Sequence, residues 1–498
     1  MKKKYGLFKV LSVLLVLIIF ATYLIDSRQG TKIYLALGDV FFNYLQSFNY
    51  FFDTALFIMV VGGFYGVLNK IPAYKEMVKG IANKMEDKSK LFVIIMTIVF
   101  ALVSTLTGLN VILLLVVPMV VSIVLLLGYD KLVALSTTIG GIIIGLVSGI
   151  FLTVKDPASY YSVSYTTIDK LVGLNSHYAN IIPKVVLLVL GLGLLIWYML
   201  SHIKKEGKKN TYELSKSDAL FVEVKDKTGK KVKEENTKKV MKCPLYVVFG
   251  LLFVLLVLGY LPWVDLFEVE VFNDFHNWLL GLKIGDYEIV RNLGFTILST
   301  GNGSIDLFEV YGAFGAWAGF GNYMMAMIVV VIFTFILMLV YRVKFDDAMD
   351  GFMYGVKKML LAVLTVVMAY SILICSYNHG FVETLINMAS DKFGDNAIVH
   401  SLVTMLGSVI NVDLYYTANG IFTSIASTLS GSANLSVYAL MFQSLYGLVQ
   451  VIGPTSILLI VGLSYLEVPY KSWLKYIWRF VVELLIVILV VLMIVSLI

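Results

Sequence analysis

The stretch LYGLVQVIGPTSILLIVGL, residues 445–463, decides the fold. It is long and apolar enough to cross a bilayer, which takes about 20 residues. Yet Gly453, Pro454, Thr455 and Ser456 fall in its middle. Proline has no backbone N–H, and glycine is a poor helix former. In lipid, every backbone group that such a break frees must find a partner inside the protein. The break therefore implies a helix interrupted at membrane depth and enclosed by other helices.

The rest of the chain agrees. Of its 498 residues, 59% are hydrophobic and only 14% charged, well below the roughly 25% usual in soluble domains. Apolar stretches recur at 6–25, 50–69, 91–127, 132–153, 183–202, 244–262, 322–341, 358–377, 396–436, 437–463 and 474–498. The predicted class is an all-α polytopic membrane protein; the alternation of an outer-membrane barrel is absent. The N-terminal apolar run lacks a clear cleavage site and is expected to be a retained first span. The two cysteines, Cys243 and Cys375, are too distant in sequence to indicate a disulfide framework. The five histidines, at 177, 202, 276, 379 and 400, show no metal-ligand spacing. No phosphate-binding loop, nucleophile–base pair or pore ring appears, so an enzyme, a channel and a nucleic-acid partner are not expected.

Charge sets the expected orientation. Residues 204–242 carry thirteen Lys against seven Asp and Glu, the whole net charge of +6. This loop and the N-terminus, with Lys2, Lys3 and Lys4, are expected on the cytoplasmic side of the plasma membrane. Arg342, Lys344, Lys471, Lys475 and Arg479 mark the same side. Residues 263–321, with eight acidic residues against Lys283 and Arg291, suit the outside.

These constraints agree if 91–127 leaves and re-enters on one side. Its polar knot is Ser104, Thr105, Thr107, Gly108 and Asn110. A re-entrant helical hairpin with its tip near Gly108 fits; two full spans give the same parity. The order of spans then repeats upside down. The expected division is 1–203 for a first repeat, 204–243 for a charged loop, 244–321 for a linking helix and external segment, and 322–498 for an inverted second repeat. Each repeat would hold a re-entrant hairpin and a broken transmembrane helix, an architecture of secondary transporters.

The breaks nominate the site. In the first repeat they are the hairpin tip and the glycine-rich span 136–151, with Gly140, Gly141, Gly145 and Gly149. In the second they are GSVINVDLYYTANG, 407–420, and Gly453–Ser456. Helix ends at such breaks expose unpaired N–H and C=O groups that bind ions and polar solutes. Thr105, Asn110, Asn411, Thr455 and Ser456 lead the set, joined by Thr107, Gly108 and Pro454. A coupling Na⁺ would sit near Thr105, Asn110, Asn411 and Thr455; H⁺ is the other coupling ion considered. Asp413 is the acid expected at membrane depth, where a carboxylate is costly and reads as functional. Simpler readings stand beside these. Glycines permit close helix packing, hydroxyls bond back to their own helix, and the loop at Asp413 is a wet external one. Asp53 opens a span and reads as interfacial; Lys155 and Asp156 end one and are expected to face the outside.

The segment FQSLYGLVQVIGPTSILLIVGLSYLEVPYKSWLKYIW, 442–478, resembles the closing segment of YfcC/DcuC-type carriers of the ion-transporter superfamily, to which AbgT-type carriers also belong. Phe442, Gln443, Ser444, Gly447, Leu448, Pro454, Thr455, Ser456, Val468, Pro469, Tyr470 and Trp473 match its pattern, and Gln450 stands where Asn is usual. DTALFIMVVGGFYGVLNK, 53–70, and GYDKLVAL, 128–135, resemble its first GG span and the segment after its first hairpin. The resemblance adds Gln443 and Gln450 to the expected substrate-binding residues. Three departures stand out: Val111 and Ile112 replace an acidic pair, INVDLYY replaces a serine-rich tip, and an Asn-Pro is missing near the end of 132–153. The resemblance implies a secondary active transporter of a small organic anion or amino acid, of C4-dicarboxylate or amino-acid type. It would be coupled to Na⁺ or H⁺ or work by exchange, bear no cofactor, move by an elevator and form a homodimer in the lipid bilayer. The alternative is a receptor or scaffold that kept the fold without transporting.

Overall fold

The computed structural model describes residues 5–27, 34–108, 110–155, 165–176, 179–207, 241–261, 323–394, 396–410, 413–428 and 435–497 without interruption, and parts of 263–306. The charged loop, except at its ends, and Asn411 lie outside these residues. Among the described residues, seven helices are long and apolar enough to cross a membrane, and eight if a bent pair counts as one.

Helix α1 (Gly6–Leu24) is followed by the amphipathic α2 (Leu37–Tyr50) and then α3 (Phe52–Leu68), bent from α2 by 62° at Phe51. The short α4 (Pro72–Lys84) leads to the first hairpin: α5 (Ser89–Thr107), a 3-10 turn (Val111–Leu115) and α6 (Val117–Leu126). Then come α7 (Lys131–Leu135), a π turn (Ser136–Gly140) and α8 (Gly141–Ser148). The stretch 132–153 is thus helical only as far as Ser148. Gly149 takes φ +40°, and the chain continues as strand β1 (Thr153–Lys155), paired antiparallel with β2 (Tyr165–Thr167). Next are α9 (Ile168–Leu171), α10 (Ile181–Glu206) and α11 (Cys243–Tyr260).

The second half opens with α12 (Tyr323–Val340). Helix α13 (Phe345–His379) fuses the amphipathic stretch 345–359 to the span 358–377 in one unbroken helix, where α2 and α3 are kinked. After α14 (Phe381–Phe393), the second hairpin comprises α15 (Ala397–Ile410), α16 (Leu414–Thr417), a π turn (Ala418–Phe422) and α17 (Thr423–Thr428). Helices α18 (Leu435–Ile452) and α19 (Ile457–Tyr465) flank the Gly-Pro break, and α20 (Tyr470–Leu497) closes the chain.

Two glycine-lined contacts organise the core. Helices α3 and α13 pack antiparallel with Gly62 against Gly355 and Gly66 against Gly351. A Cβ on any of the four would strike the opposing backbone. Small residues at this spacing let membrane helices approach closely, so dispersion can hold them where no hydrophobic effect acts. Helices α8 and α18 also pack antiparallel, with Gly447 on Val147 and Gly149 on Gln443. Gly141 and Gly145 seat α8 on α5, against the carbonyls of Thr97 and Ala101. A narrow apolar crevice lined by Ile58, Val61, Leu114, Val117, Met359 and Val461 runs where α3 and α13 meet the first hairpin.

Candidate functional site

The end of α8 and the break after α18 are each tied to a hairpin. At the first break, Ser148 donates to the Gly145 carbonyl at 3.0 Å, which leaves its oxygen to accept from the Thr105 hydroxyl at 2.8 Å. Thr105 in turn accepts from the Ile150 N–H at 2.9 Å, and its carbonyl accepts from the Phe151 N–H at 3.0 Å. The Gln443 amide, from α18, donates to the Ser148 carbonyl. Donors freed by the loss of helix after Gly149 are thus taken up by one threonine of the first hairpin. Thr105 does not bond back to its own helix.

At the second break, the Gly453 N–H closes the last turn of α18 on Val449 at 2.6 Å, and Pro454 contributes no donor. Thr455 donates to the Val409 carbonyl, in the last turn of α15, at 2.6 Å. Ser456 caps α19 by accepting from the Leu459 N–H at 3.4 Å. The Val451 carbonyl accepts from the Trp473 indole N–H at 2.9 Å, and the Ile452 carbonyl from the Tyr470 hydroxyl. This is what Tyr470 and Trp473 do: they satisfy the carbonyls that the break strips of partners, which lipid would leave unpaired.

The remaining sequence candidates fall into local roles. Thr107 bonds back to the Val103 carbonyl, and Gly108 ends α5 at φ +66°. The Asn110 side chain caps the 3-10 turn at the Val111 N–H. Asp413 caps α16, accepting from the Tyr415 N–H at 2.8 Å. Asp130 opens α7 in the same way, accepting from Val133 at 2.9 Å, and in both places a π turn follows the short helix. Of the residues expected around a Na⁺, Thr105 sits at the first break and Thr455 at the second, while Asn110 is engaged in its cap. Among the described residues no three His, Cys, Asp or Glu side chains group to hold a metal. Gln443 and Gln450 lie on one face of α18, between the two breaks. Val111 and Ile112 are buried apolar residues of the 3-10 turn.

Sequence reasoning missed a buried ion pair. Asp169 of α9 and Lys184 of α10 meet at 2.6 Å, both almost wholly buried. The Asn180 amide donates to Asp169 at 2.9 Å and to the Ser436 carbonyl at 3.1 Å, and the Ser436 hydroxyl donates back to Asn180 at 2.6 Å. The knot joins α9, α10 and the start of α18. A lysine two residues into the apolar stretch 183–202 was its signal. Lys131 was likewise not singled out; its ammonium donates to the Leu466 carbonyl at 2.8 Å, capping the end of α19.

The family model of DcuC, the C4-dicarboxylate anaerobic carrier, matches residues 6–497. The chain belongs to that family. It is a multi-pass membrane carrier and not an enzyme. No curated protein sequence matches it. A solved structure similar to it is the YdaH transporter of Alcanivorax borkumensis, at 11% identity and a TM-score of 0.40, with 98% of this chain and 97% of that one covered.

Proposed function

We propose that the carrier is a secondary active transporter of a small carboxylate-bearing solute, a C4-dicarboxylate or an amino acid, held between its two broken helices. A Na⁺ or H⁺ gradient, or exchange for a second solute, drives it. The observation that carries this reading is the pair of ties at the breaks. Thr105 holds the chain around Gly149 through three hydrogen bonds, and Thr455 holds the end of α15 through one, so each tie joins polar groups of a hairpin to a break. Such an arrangement leaves polar backbone near solute without lining it with lipid.

The helix packing supports an inverted repeat, divided at 1–203 and 322–498 as the sequence suggests. Three contacts pair equivalent helices antiparallel: α3 with α13, α8 with α18, and α10 with α20. Six others come in three matched pairs: α1 on α13 with α12 on α3, α5 on α8 with α15 on α18, and α8 on α10 with α18 on α20. A two-fold relation between the halves would generate this pattern. With the N-terminus and the 204–242 loop cytoplasmic, the first hairpin enters from inside and the second from outside.

The test is uptake into proteoliposomes. Labelled succinate, aspartate and neutral and basic amino acids would be offered under Na⁺, H⁺ and counter-solute gradients. Accumulation of one solute against its gradient supports the reading. Binding of a solute without flux under every gradient would favour a receptor that kept the fold.

A further inference from the structure

Acidic and aromatic side chains gather where the tip of the second hairpin meets the bend between α2 and α3. Phe51, at the bend, stacks on Tyr370 of α13 with ring centres 3.7 Å apart, and meets Tyr416 of α16 edge-on at 5.9 Å. Tyr416 lies edge-on to Tyr377 at 5.3 Å. The Tyr370 hydroxyl is 3.4 Å from that of Thr54, whose N–H is bonded to the half-buried Asp53 carboxylate at 2.6 Å. Asp413, three residues before Tyr416, lies within electrostatic reach of Asp53, Tyr323, Tyr370 and Tyr446. Two carboxylates from opposite halves of the chain therefore share one aromatic neighbourhood. Among the described residues neither has an ion-pair partner.

A second observation is independent of the acids. Gln443, Tyr446 and Gln450 follow the i, i+3, i+7 spacing of one face of α18. Gln443 Oε1, an acceptor, and Gln450 Nε2, a donor, have no hydrogen-bond partner, and both residues are at least nine-tenths buried. A buried polar atom left unpaired costs roughly 1–3 kcal/mol, so such atoms mark places that a ligand completes. The face asks for one donor and one acceptor.

We propose that the Asp53–Asp413 aromatic cluster receives the ammonium group of an amine-bearing carboxylate, so that the carrier prefers an amino-substituted dicarboxylate to the bare dianion. The proposal rests on the carrier reading above and names its substrate class. An ammonium supplies the positive charge the two carboxylates lack, and its N–H groups suit the Gln443 acceptor. Tyrosine faces attract cations within about 6 Å. A substrate carboxylate takes the Gln450 donor. A dianion with no amine would bring like charge to Asp53 and Asp413 and leave Gln443 Oε1 unpaired.

Aspartate and succinate differ by one amine and test this directly. The full chain would be assayed for uptake in proteoliposomes and for equilibrium binding in detergent. Aspartate should enter at least tenfold faster than succinate. Asp413→Asn and Asp53→Asn should each slow it at least tenfold without lowering the Tm, and Asp413→Glu should retain part of the rate. If Asp413→Asn does not fold, Asp53→Asn with Tyr370→Phe carries the test. Succinate entering as fast as aspartate would overturn the inference and leave the carrier reading standing. Aspartate bound but not carried would uphold the inference and overturn the carrier reading. Neither solute bound nor carried would overturn the inference, and the carrier reading would then stand or fall on the neutral and basic amino acids of the uptake panel.

Discussion

The Thr455 hydroxyl donates to the Val409 carbonyl at 2.6 Å, joining the residue after the α18–α19 break to the last turn of α15. In the transporter proposed above, the bond would span two elements that alternating access separates and rejoins. Thr455→Val keeps the volume and removes the donor. It leaves a part-buried carbonyl unpaired, at a cost of about 1 kcal/mol. Solute uptake should fall at least tenfold while the protein still folds, and Thr455→Ser should restore most of the rate. Equal uptake by Thr455→Val and the unmodified chain would remove Thr455 from the site.

That relationship was half legible in the sequence. A Gly-Pro in an apolar stretch announces a break, and Thr and Ser beside it announce polar work, because lipid leaves a freed backbone group no other partner. Which carbonyl Thr455 would find was not legible, because Val409 lies 46 residues away and only packing brings it near. Thr105 was named for the same reason, and Ser148, its partner at the first break, was not. The glycine-rich stretch 136–151 reads as a broken place, but which of Gly140, Gly141, Gly145 and Gly149 breaks it is not legible, because glycines in membrane helices are so often packing residues. Gly141 and Gly145 are of that kind, and Gly149, at φ +40°, is the break. The 3-10 turn after Asn110 and the π turns had no sequence signal. The unbroken α13, against the kinked α2–α3, had none either.

Packing predictions follow from Gly66 and Gly351. A side chain on Gly66 would meet the Gly351 carbonyl, which belongs to a helix backbone and cannot swing aside. Gly66→Leu should cost upwards of about 1–3 kcal/mol, the usual range for overpacking, and lower the Tm and the folded yield. Gly80, on α4, has open space around its Cβ position. Gly80→Ala should instead raise stability by about 0.4–1 kcal/mol through the unfolded chain. Thermal unfolding of the two variants in one detergent checks both signs.

The knot at Asp169 and Lys184 predicts strong non-additivity. Removing one partner of a buried pair strands a charge, at about 3–5 kcal/mol, whereas replacing both with apolar residues is often close to neutral. Lys184→Met or Asp169→Leu alone should therefore lower the Tm sharply, and the double variant should recover much of the loss. Additive losses would mean that the pair contributes through its neighbours Asn180 and Ser436 instead.

Asp130 predicts how the α7–α10 contact responds to acid. Its carboxylate meets His202 at 2.9 Å and caps α7 at the Val133 N–H, just before the span that begins at Lys131. Burial acts to raise its pKa. The hydrogen bonds from His202, Val133 and Leu132 and the charge of His202 together outweigh burial and hold it below the usual carboxylate range. A carboxylate whose pKa is lower in the folded state adds stability that is present above its unfolded pKa of about 3.9. That stability is lost as pH falls through the folded value. The Tm should thus hold from pH 7 to about 5 and drop below about 4. Asp130→Asn, which keeps an acceptor for Val133 but not the charge, should be less stable than the unmodified chain at pH 7, and the gap should close below about pH 4. A gap that stays constant with pH would show that Asp130 acts only as a cap and that its pairing with His202 adds nothing.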